Sequence, residues 1–438
     1  MKKLLLVALG TVTLSIPLST AYARQTPQMA QVADSAFDRC AAQLVDLLTG
    51  RIAFADYFDL GFQTAVPEAQ FQAITASLVA QYGQPLAIDK VTTPNGRAGI
   101  VLLRFEKGVA TIALEVGPGK AARATGLRFT NFAAANDNFD KVAAELAALP
   151  GRTGFLVAEL NGSSIRPLAS AHADTQFAIG STFKLYILDE LAAQVVAGKR
   201  QWSDVVPLSH QSFSSAGTGN WPKGMPVTLQ SLANWMISVS DNSATDTLIH
   251  LLGREKIEAR MRATGHSAPS QNIPFLTTVE AFALKGDNFA DERAAFVAGE
   301  DKAQRALIDA NASRLVMPNV DGVSFSGGPR FIDSLEWFAS PNDIARAMID
   351  LRSRQSNTAL AAMAINNGVG GAGPAAMWTY LGYKGGSELG VLSMSLLGQR
   401  KSDGKWFVVT ASWNNPDAAV LTETMVGLVT RLLALAAK

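Results

Sequence analysis

The stretch Phe177-Ala-Ile-Gly-Ser181-Thr-Phe-Lys184-Leu-Tyr-Ile-Leu188 constrains this chain more than any other. Leu185, Ile187, Leu188, Leu191, Val195 and Val196 are apolar nearly all round a helix, which predicts a helix at the centre of a domain. Ser181 and Lys184 stand three residues apart at its start, so hydroxyl and amine share a face. Gly180 gives the backbone freedom to turn sharply into the helix. A serine there has the first-turn N–H groups and the positive end of the helix dipole beside it, which suits a developing oxyanion. A lysine opening a buried helix is partly desolvated, and that makes it a usable base at neutral pH. The spacing also starts ordinary helices. A second copy, Ser402-Asp-Gly-Lys405, lies between two strand-like runs, where Asp-Gly reads as a hairpin turn. Chemistry at Ser181 therefore needs further pieces.

The bulk of the chain narrows what those pieces can be. With 438 residues, 48% hydrophobic and 17% charged, it is a folded protein with room for two domains. A net charge of +1 without a Lys/Arg run excludes an evident nucleic-acid or acidic-membrane partner. Cys40 is the sole cysteine, so neither an intramolecular disulfide nor a thiolate metal cluster can form. Lys2 and Lys3, an apolar run over 4–18 and Ala21-Tyr-Ala23 predict a signal peptide over residues 1–23, cleaved after Ala23. The expectation is a periplasmic or secreted protein with no stable membrane insertion.

Residues 24–134 read as a small α+β domain. One helix is expected from an Asp34-Ser35 cap to Gly50, and a second carries Phe71, Ile74, Leu78 and Tyr82. Strand-like runs follow over 86–92, 98–105, 109–116 and 124–130. This unit holds no His and no paired acids, which favours a scaffold or partner-binding role. A linker is expected over 133–137, and residues 135–438 form the second unit. There a helix over 139–149 and a strand over 153–160 precede the Ser181 segment. Thr228 can cap a helix that stops at Ser238-Val-Ser240-Asp-Asn242, where another begins. Lys384-Gly-Gly386-Ser387 reads as opening a strand in which Leu392, Met394 and Leu396 alternate with Ser393 and Ser395. The Ser402–Lys405 hairpin and a long apolar helix over 420–435 close the chain. The glycines of Asn366–Gly373 match G-x-G-x-x-G, but follow no strand and run into Pro374, so no dinucleotide cofactor is expected.

Three pieces thus occur in order: Ser181-x-x-Lys184, Ser240-Asp241-Asn242 and Lys384-Gly385-Gly386. Singly, the second could cap a helix and the third could be a solvated turn. Together they resemble the serine β-lactamase and penicillin-recognising enzymes, whose motifs are Ser-x-x-Lys, Ser-Asp-Asn and Lys-Thr/Ser-Gly. The resemblance covers roughly residues 135–438. The segments IGSTFKLYIL, MISVSDNSATDTLI and YKGGSELGVL are most similar to a two-domain subfamily with an isomerase-like or cystatin-like α+β domain in front. One member is encoded in clavulanic-acid biosynthetic clusters. The fold implied is α/β: a β-lactamase/transpeptidase-like domain, with an antiparallel sheet flanked by helices, behind that smaller domain.

The resemblance also implies roles. Ser181 would attack a carbonyl to give an acyl-enzyme, with Lys184 taking its proton. Ser240 would relay that proton to the leaving group, and Lys384 would hold the relay in shape and attract a substrate carboxylate. Asn242 would hold a substrate amide, and the N–H groups of Ser181 and Ser387 would form an oxyanion hole beside Gly386. Asp241 would be structural. Two departures stand out. Gly385 replaces the usual hydroxyl residue, and no Glu-x-x-x-Asn occurs between Asn242 and Lys384 to supply a deacylating base. Glu336 and Glu280 are the candidates for that base. The expected activity is an exported serine hydrolase acting on an ester, amide or β-lactam, with no cofactor and no metal. Its partner would be a small-molecule substrate, in an assembly of unspecified size. The alternatives are a β-lactam-binding, peptidase-like acyl-enzyme former with little turnover, or a non-catalytic binding module. A Ser-His-Asp site is disfavoured, because none of His172, His210, His250 or His266 accompanies a G-x-S-x-G elbow. No His-x-x-x-His pair exists for zinc either.

Overall fold

The computed structural model describes residues 35–119, 121–134, 136–369 and 373–438. The leader expected over residues 1–23 lies outside them. Ser35 caps α1 (Ala36–Ala42) by accepting the Asp38 N–H, and the chain steps at Gln43 into α2 (Leu44–Leu48). The one helix expected there is therefore two. Short α3 (Phe54–Tyr57) and α4 (Leu60–Ala65) lead to α5 (Glu68–Tyr82). The first pair of these was not legible, because Phe54, Tyr57 and Phe58 are buried without a helical repeat long enough to read. An antiparallel meander follows: β1 (Pro85–Thr92), β2 (Ala98–Phe105), β3 (Gly108–Val116) and β4 (Ala124–Ala134). Ala110, Ile112, Leu114 and Val116 alternate inward along β3 and meet Phe37, Leu44 and Phe58 in one apolar core. The linker expected at 133 is corrected, since β4 pairs with β3 as far as Ala134. Further on, Asp137 and Glu145 both accept from Arg431.

The rest of the chain builds around a second sheet. In order come α6 (Phe139–Ala147), β5 (Arg152–Asn161), β6 (Ser164–Ala171), β7 (Phe177–Ala178), a 3-10 turn (Gly180–Phe183) and α7 (Lys184–Val196). Next are β8 (Val205–Pro207), β9 (Pro226–Thr228), α8 (Leu229–Ser238), α9 (Asn242–Leu252), α10 (Arg254–Ala263) and α11 (Thr278–Lys285). Then α12 (Ala290–Ala298), α13 (Asp301–Ala310), β10 (Phe338–Ala339), α14 (Pro341–Ser353) and α15 (Asn357–Ala364) lead into the last elements. Those are β11 (Trp378–Glu388), β12 (Val391–Arg400), β13 (Trp406–Asn414) and α16 (Thr422–Ala436).

The main sheet is five-stranded and antiparallel, in the order β11-β12-β13-β5-β6. One face packs on α6 and α16 through Val142, Leu146, Leu428 and Leu432. The other packs on α7, α8 and α14 through Leu185, Leu188, Leu232 and Met348. An antiparallel sheet between helical layers, behind a small α+β region, is the α/β architecture the motifs implied. Covering both faces explains why β12 is buried along its length apart from its last two residues, Ser393 and Ser395 included, where half-buried alternation was expected. Two further expectations are corrected. Val196 is exposed, because α7 leaves the core in its last turn. Lys384–Ser387 lies at the end of β11 and does not open the following strand; Leu389-Gly390 turns the chain into β12. No helix of the described residues is long and apolar enough to cross a membrane.

Candidate active site

Ser181 is positioned by its neighbours on both sides. Upstream, Asn414 holds Ala178 with both ends of its amide, accepting one bond at 2.8 Å and donating another at 2.9 Å. The Ile179 N–H donates to Trp337 O at 2.9 Å, and the Phe183 ring stacks on Trp337 at 3.8 Å. Between them Gly180 adopts a φ of +46°, which a side chain would resist. The chain needs that kink because β11 passes very close. A Cβ placed on Gly386 would lie 2.4 Å from the Ser181 nitrogen and 2.1 Å from Ile179 O. Only glycine fits.

The same close approach organises two N–H groups. Glu388 pairs with Val391 across the two-residue turn, and a pair closing such a turn is hydrogen-bonded. By alternation Ser387, opposite Leu392, is not, so its N–H points off the sheet edge that β11 forms. A Cβ on Gly180 would lie 3.0 Å from that nitrogen. The N–H groups of Ser181 and Ser387 therefore sit side by side, beside the serine hydroxyl.

Three segments converge on one oxygen. Lys184 Nζ lies 2.7 Å from Ser240 O, 2.5 Å from Asn242 Oδ1 and 3.1 Å from Ser240 Oγ. Lys384 Nζ reaches the same Oγ at 3.0 Å and donates to its neighbour's carbonyl, Gly385 O, at 2.5 Å. Burial holds Lys184 well below the ordinary lysine range, and the Lys384 charge pushes it further down. Burial brings Lys384 down to about 7. Neither amine has an ion-pair partner among the described residues. Ser240 itself has a φ of +61°, a conformation that costs a non-glycine residue on the order of 1–3 kcal/mol. Asp241 holds it there. Its carboxylate accepts the Gly217 and Thr218 N–H groups at 2.8 and 2.7 Å and caps α9 through the Ala244 N–H.

One expected contact is not made: among the described residues Ser181 Oγ has no hydrogen-bond partner, so its proton does not rest on Lys184. Asn242 ties the lysine to the Phe213 loop, its Oδ1 beside Lys184 Nζ and its Nδ2 donating one proton to Phe213 O at 2.7 Å. That leaves the second Nδ2 proton available on the wall of the recess that Ser181 also lines.

Ser181 opens on a small recess with Asn242, Thr278, Phe282, Lys285, Glu336 and Glu388 on its walls. The recess offers about 30 Å3 to water centres, room for one or two waters and for no substrate. Next to it a groove of about 190 Å3, sharing Phe282, Ser387 and Glu388, runs past Phe213, Phe325 and Arg330. A larger cavity, of about 380 Å3, lies behind Glu336 and Trp337 and does not reach Ser181.

The two candidate bases separate clearly. Glu280 is committed to α11, where it completes a capping box with Thr277 and binds Arg254 at 2.7 and 3.0 Å. Glu336 does line the recess, as one arm of a buried cluster. Lys285 Nζ donates to Glu336 Oε1 at 2.5 Å and to the two oxygens of Glu388 at 2.6 and 2.8 Å. Burial opposes the Lys285 charge, but the two carboxylates outweigh it and hold the ammonium above its usual value. Sequence reasoning missed Lys285 and Glu388. The first ends a helix and the second begins a turn, places where charged residues are ordinarily solvated. The capping box Thr277-x-x-Glu280 was a readable signal for α11, and Asp246 fixes that helix by accepting the Thr278 and Val279 N–H groups at 2.7 and 3.0 Å.

No curated protein matches the chain. Among solved structures, a β-lactamase from Sphaerobacter thermophilus DSM 20745 aligns at 21% identity over 68% of this chain and 96% of its own, with a TM-score of 0.46. A β-lactamase from Chitinophaga pinensis DSM 2588 aligns at 17% over 68% and 98%, with a TM-score of 0.45. A protein named PBP-A aligns at 14% over 67% and 93%, with a TM-score of 0.46. The profile of the Beta-lactamase enzyme family matches residues 138–364, a span that holds Ser181, Lys184, Ser240 and Asn242 but ends before Lys384. That match takes in just over half of the 438 residues, and the chain belongs to the β-lactamase enzyme family.

Proposed function

We propose that this protein is an exported serine hydrolase that acylates Ser181 with an ester, amide or β-lactam and then releases the acyl group by hydrolysis. The observation that carries the reading is the meeting of two buried amines on Ser240 Oγ, at 3.1 and 3.0 Å. An ammonium offers three donors and no acceptor, whereas a neutral amine offers two donors and one lone pair. Lys184 has two pure acceptors beside it, Ser240 O and Asn242 Oδ1. A neutral Lys184 satisfies both and turns its lone pair to the Ser240 hydroxyl, while a charged Lys384 donates to the same oxygen. That arrangement leaves one base and one acid on either side of a single relay.

In this reading substrate enters along the groove and its carbonyl oxygen takes the Ser181 and Ser387 N–H groups. Such a donor is worth roughly 3 kcal/mol in the transition state. Ser181 Oγ then forms the ester bond, and its proton passes to Lys184. Ser240 gives its hydroxyl proton to the leaving group as the scissile bond breaks and takes in its place the proton that Lys184 received, which leaves Lys184 neutral again. Lys384 and Gly386 position this machinery, and Asn242 fixes Lys184. The region over 24–134 acts as a separate domain in the manner of the two-domain subfamily, with residues 135–438 as the hydrolase.

The free hydroxyl of Ser181 supports a second reading, an acyl-enzyme former with slow turnover, because the nucleophile is not yet bonded to its base. One experiment separates the two. The mature protein is incubated with a penicillin, a cephalosporin and a chromogenic aryl acetate, and intact mass and product are followed. The first reading expects product together with an adduct that Ser181→Ala abolishes. A lasting adduct without product selects the second, and neither adduct nor product with any probe sinks both.

A further inference from the structure

The cluster of Lys285, Glu336 and Glu388 has no part in the acylation described above, yet it forms a wall of the recess that holds the nucleophile. Burying one ammonium between two carboxyl groups is costly unless each group is well partnered. The two acids differ. Glu336 is closed in, with Oε1 on Lys285 and Oε2 accepting the Trp337 N–H at 3.2 Å. Glu388 is the more open, its side chain 17% exposed against 2% for Glu336, and its oxygens accept from Lys285 with the Glu336 carboxyl group beside them. A carboxylate has about four lone-pair positions, so Glu388 retains capacity toward the recess. The recess itself has the size of one or two waters. It brings together a nucleophile, a water-sized space and a carboxylate with spare acceptor capacity.

We propose that Glu388, gripped by Lys285, is the proton acceptor for the water that cleaves the acyl-Ser181 ester. The inference rests on the acyl-enzyme reading. The water oxygen bonds to the acyl carbon while one of its protons moves to the Glu388 carboxylate. As the tetrahedral adduct collapses, the bond from carbon to Ser181 Oγ breaks and Oγ regains a proton from the same store. Acid and free serine result, with no co-reactant consumed. Burial, and then the neighbouring Glu336 charge, push Glu388 above the ordinary carboxylate range against the pull of Lys285, toward the neutral range that suits a general base. The charged groups around it are Lys285 on α11, Glu336 ahead of β10, and Arg330 across the groove, which is itself paired with Asp287.

The test uses the aryl acetate with the full mature chain. In Glu388→Gln the initial burst of aryl alcohol is kept, acetylated enzyme accumulates in the intact-mass spectrum, and deacetylation slows by about 100-fold or more. In wild type the deacetylation rate climbs with pH toward a plateau, since a carboxylate accepts protons only when ionised and Glu388 ionises later than an ordinary glutamate, and that limb vanishes in the variant. Unchanged turnover without adduct in Glu388→Gln overturns the proposal. So does an adduct that builds in Glu336→Gln and not in Glu388→Gln. Should Glu388→Gln not fold, the wild-type profile still decides: deacetylation flat between about pH 6 and pH 9 overturns the proposal. Wild type giving neither burst nor adduct instead brings down the acyl-Ser181 reading on which this rests.

Discussion

Residues 35–134 and the surroundings of Ser181 are both well-packed interiors, but they bury different things. In the first region, among residues whose side chains are described, no Asp, Glu, Lys, Arg, Ser, Thr, Asn or Gln is buried. In the second, Lys184, Asp189, Asp246, Lys285, Asp343 and Lys384 are all at most 2% exposed. A folding core gains nothing from a buried charge that a well-packed apolar side chain would not supply. The partners then sort these charges. Asp189 is answered by Arg354 and Arg260, and Asp343 accepts the Ser340 and Ser267 N–H groups and the Gln176 amide. Among the described residues, Lys184 and Lys384 are answered by neutral oxygens only. Charges with strong partners hold segments together, while amines without them are held ready to change protonation.

That contrast can be attacked from either side. The largest effect is expected at Gly386, where a methyl group would collide with the Ser181 nitrogen and Ile179 O. Gly386→Ala should lower the acylation rate by about 100-fold or more, the loss typical of a spoiled oxyanion site. Stopped-flow acylation of the folded variant measures it, and a near-normal rate would mean the two N–H groups are not where the oxyanion forms. Next comes Leu103, fully buried in the first region. Leu103→Ala should cost about 2–5 kcal/mol in denaturant unfolding with kcat unchanged. A fall in kcat at 20 °C in the folded protein would bring residues 35–134 into the chemistry and dissolve the comparison.

The smallest effect is a pH slope. Folded Lys384 loses its proton near 7 and the unfolded chain near the ordinary value of 10.5, so between them the unfolded state holds more protons. Stability should therefore rise with pH across that window, and Lys384→Met should make the rise shallower. An unaltered slope would show that Lys384 titrates as an ordinary surface lysine does.

Much of this was legible. The strands of the first region could be read because Ala110, Ile112, Leu114 and Val116 alternate, and α8 and α9 because Thr228 and Asp241 cap them. The motif residues could be found because their spacing is local. Other features follow from contacts distant in sequence. Nothing near Lys285 announces two carboxylates 51 and 103 residues further on. Nothing near Asn242 announces that Phe213 O will occupy its amide. The end of β4 was misjudged because Ala133 and Ala134 carry no strand preference of their own; pairing with β3 decides them.

The left-handed backbone at Ser240 has a consequence for anyone altering this protein. Glycine would relax that position and remove the hydroxyl in the same stroke. A campaign that ranks variants by melting temperature alone would drift toward it and discard, without noticing, the oxygen on which Lys184 and Lys384 converge. Residue 240 is a place where hardiness and reactivity are set against each other by a single dihedral angle.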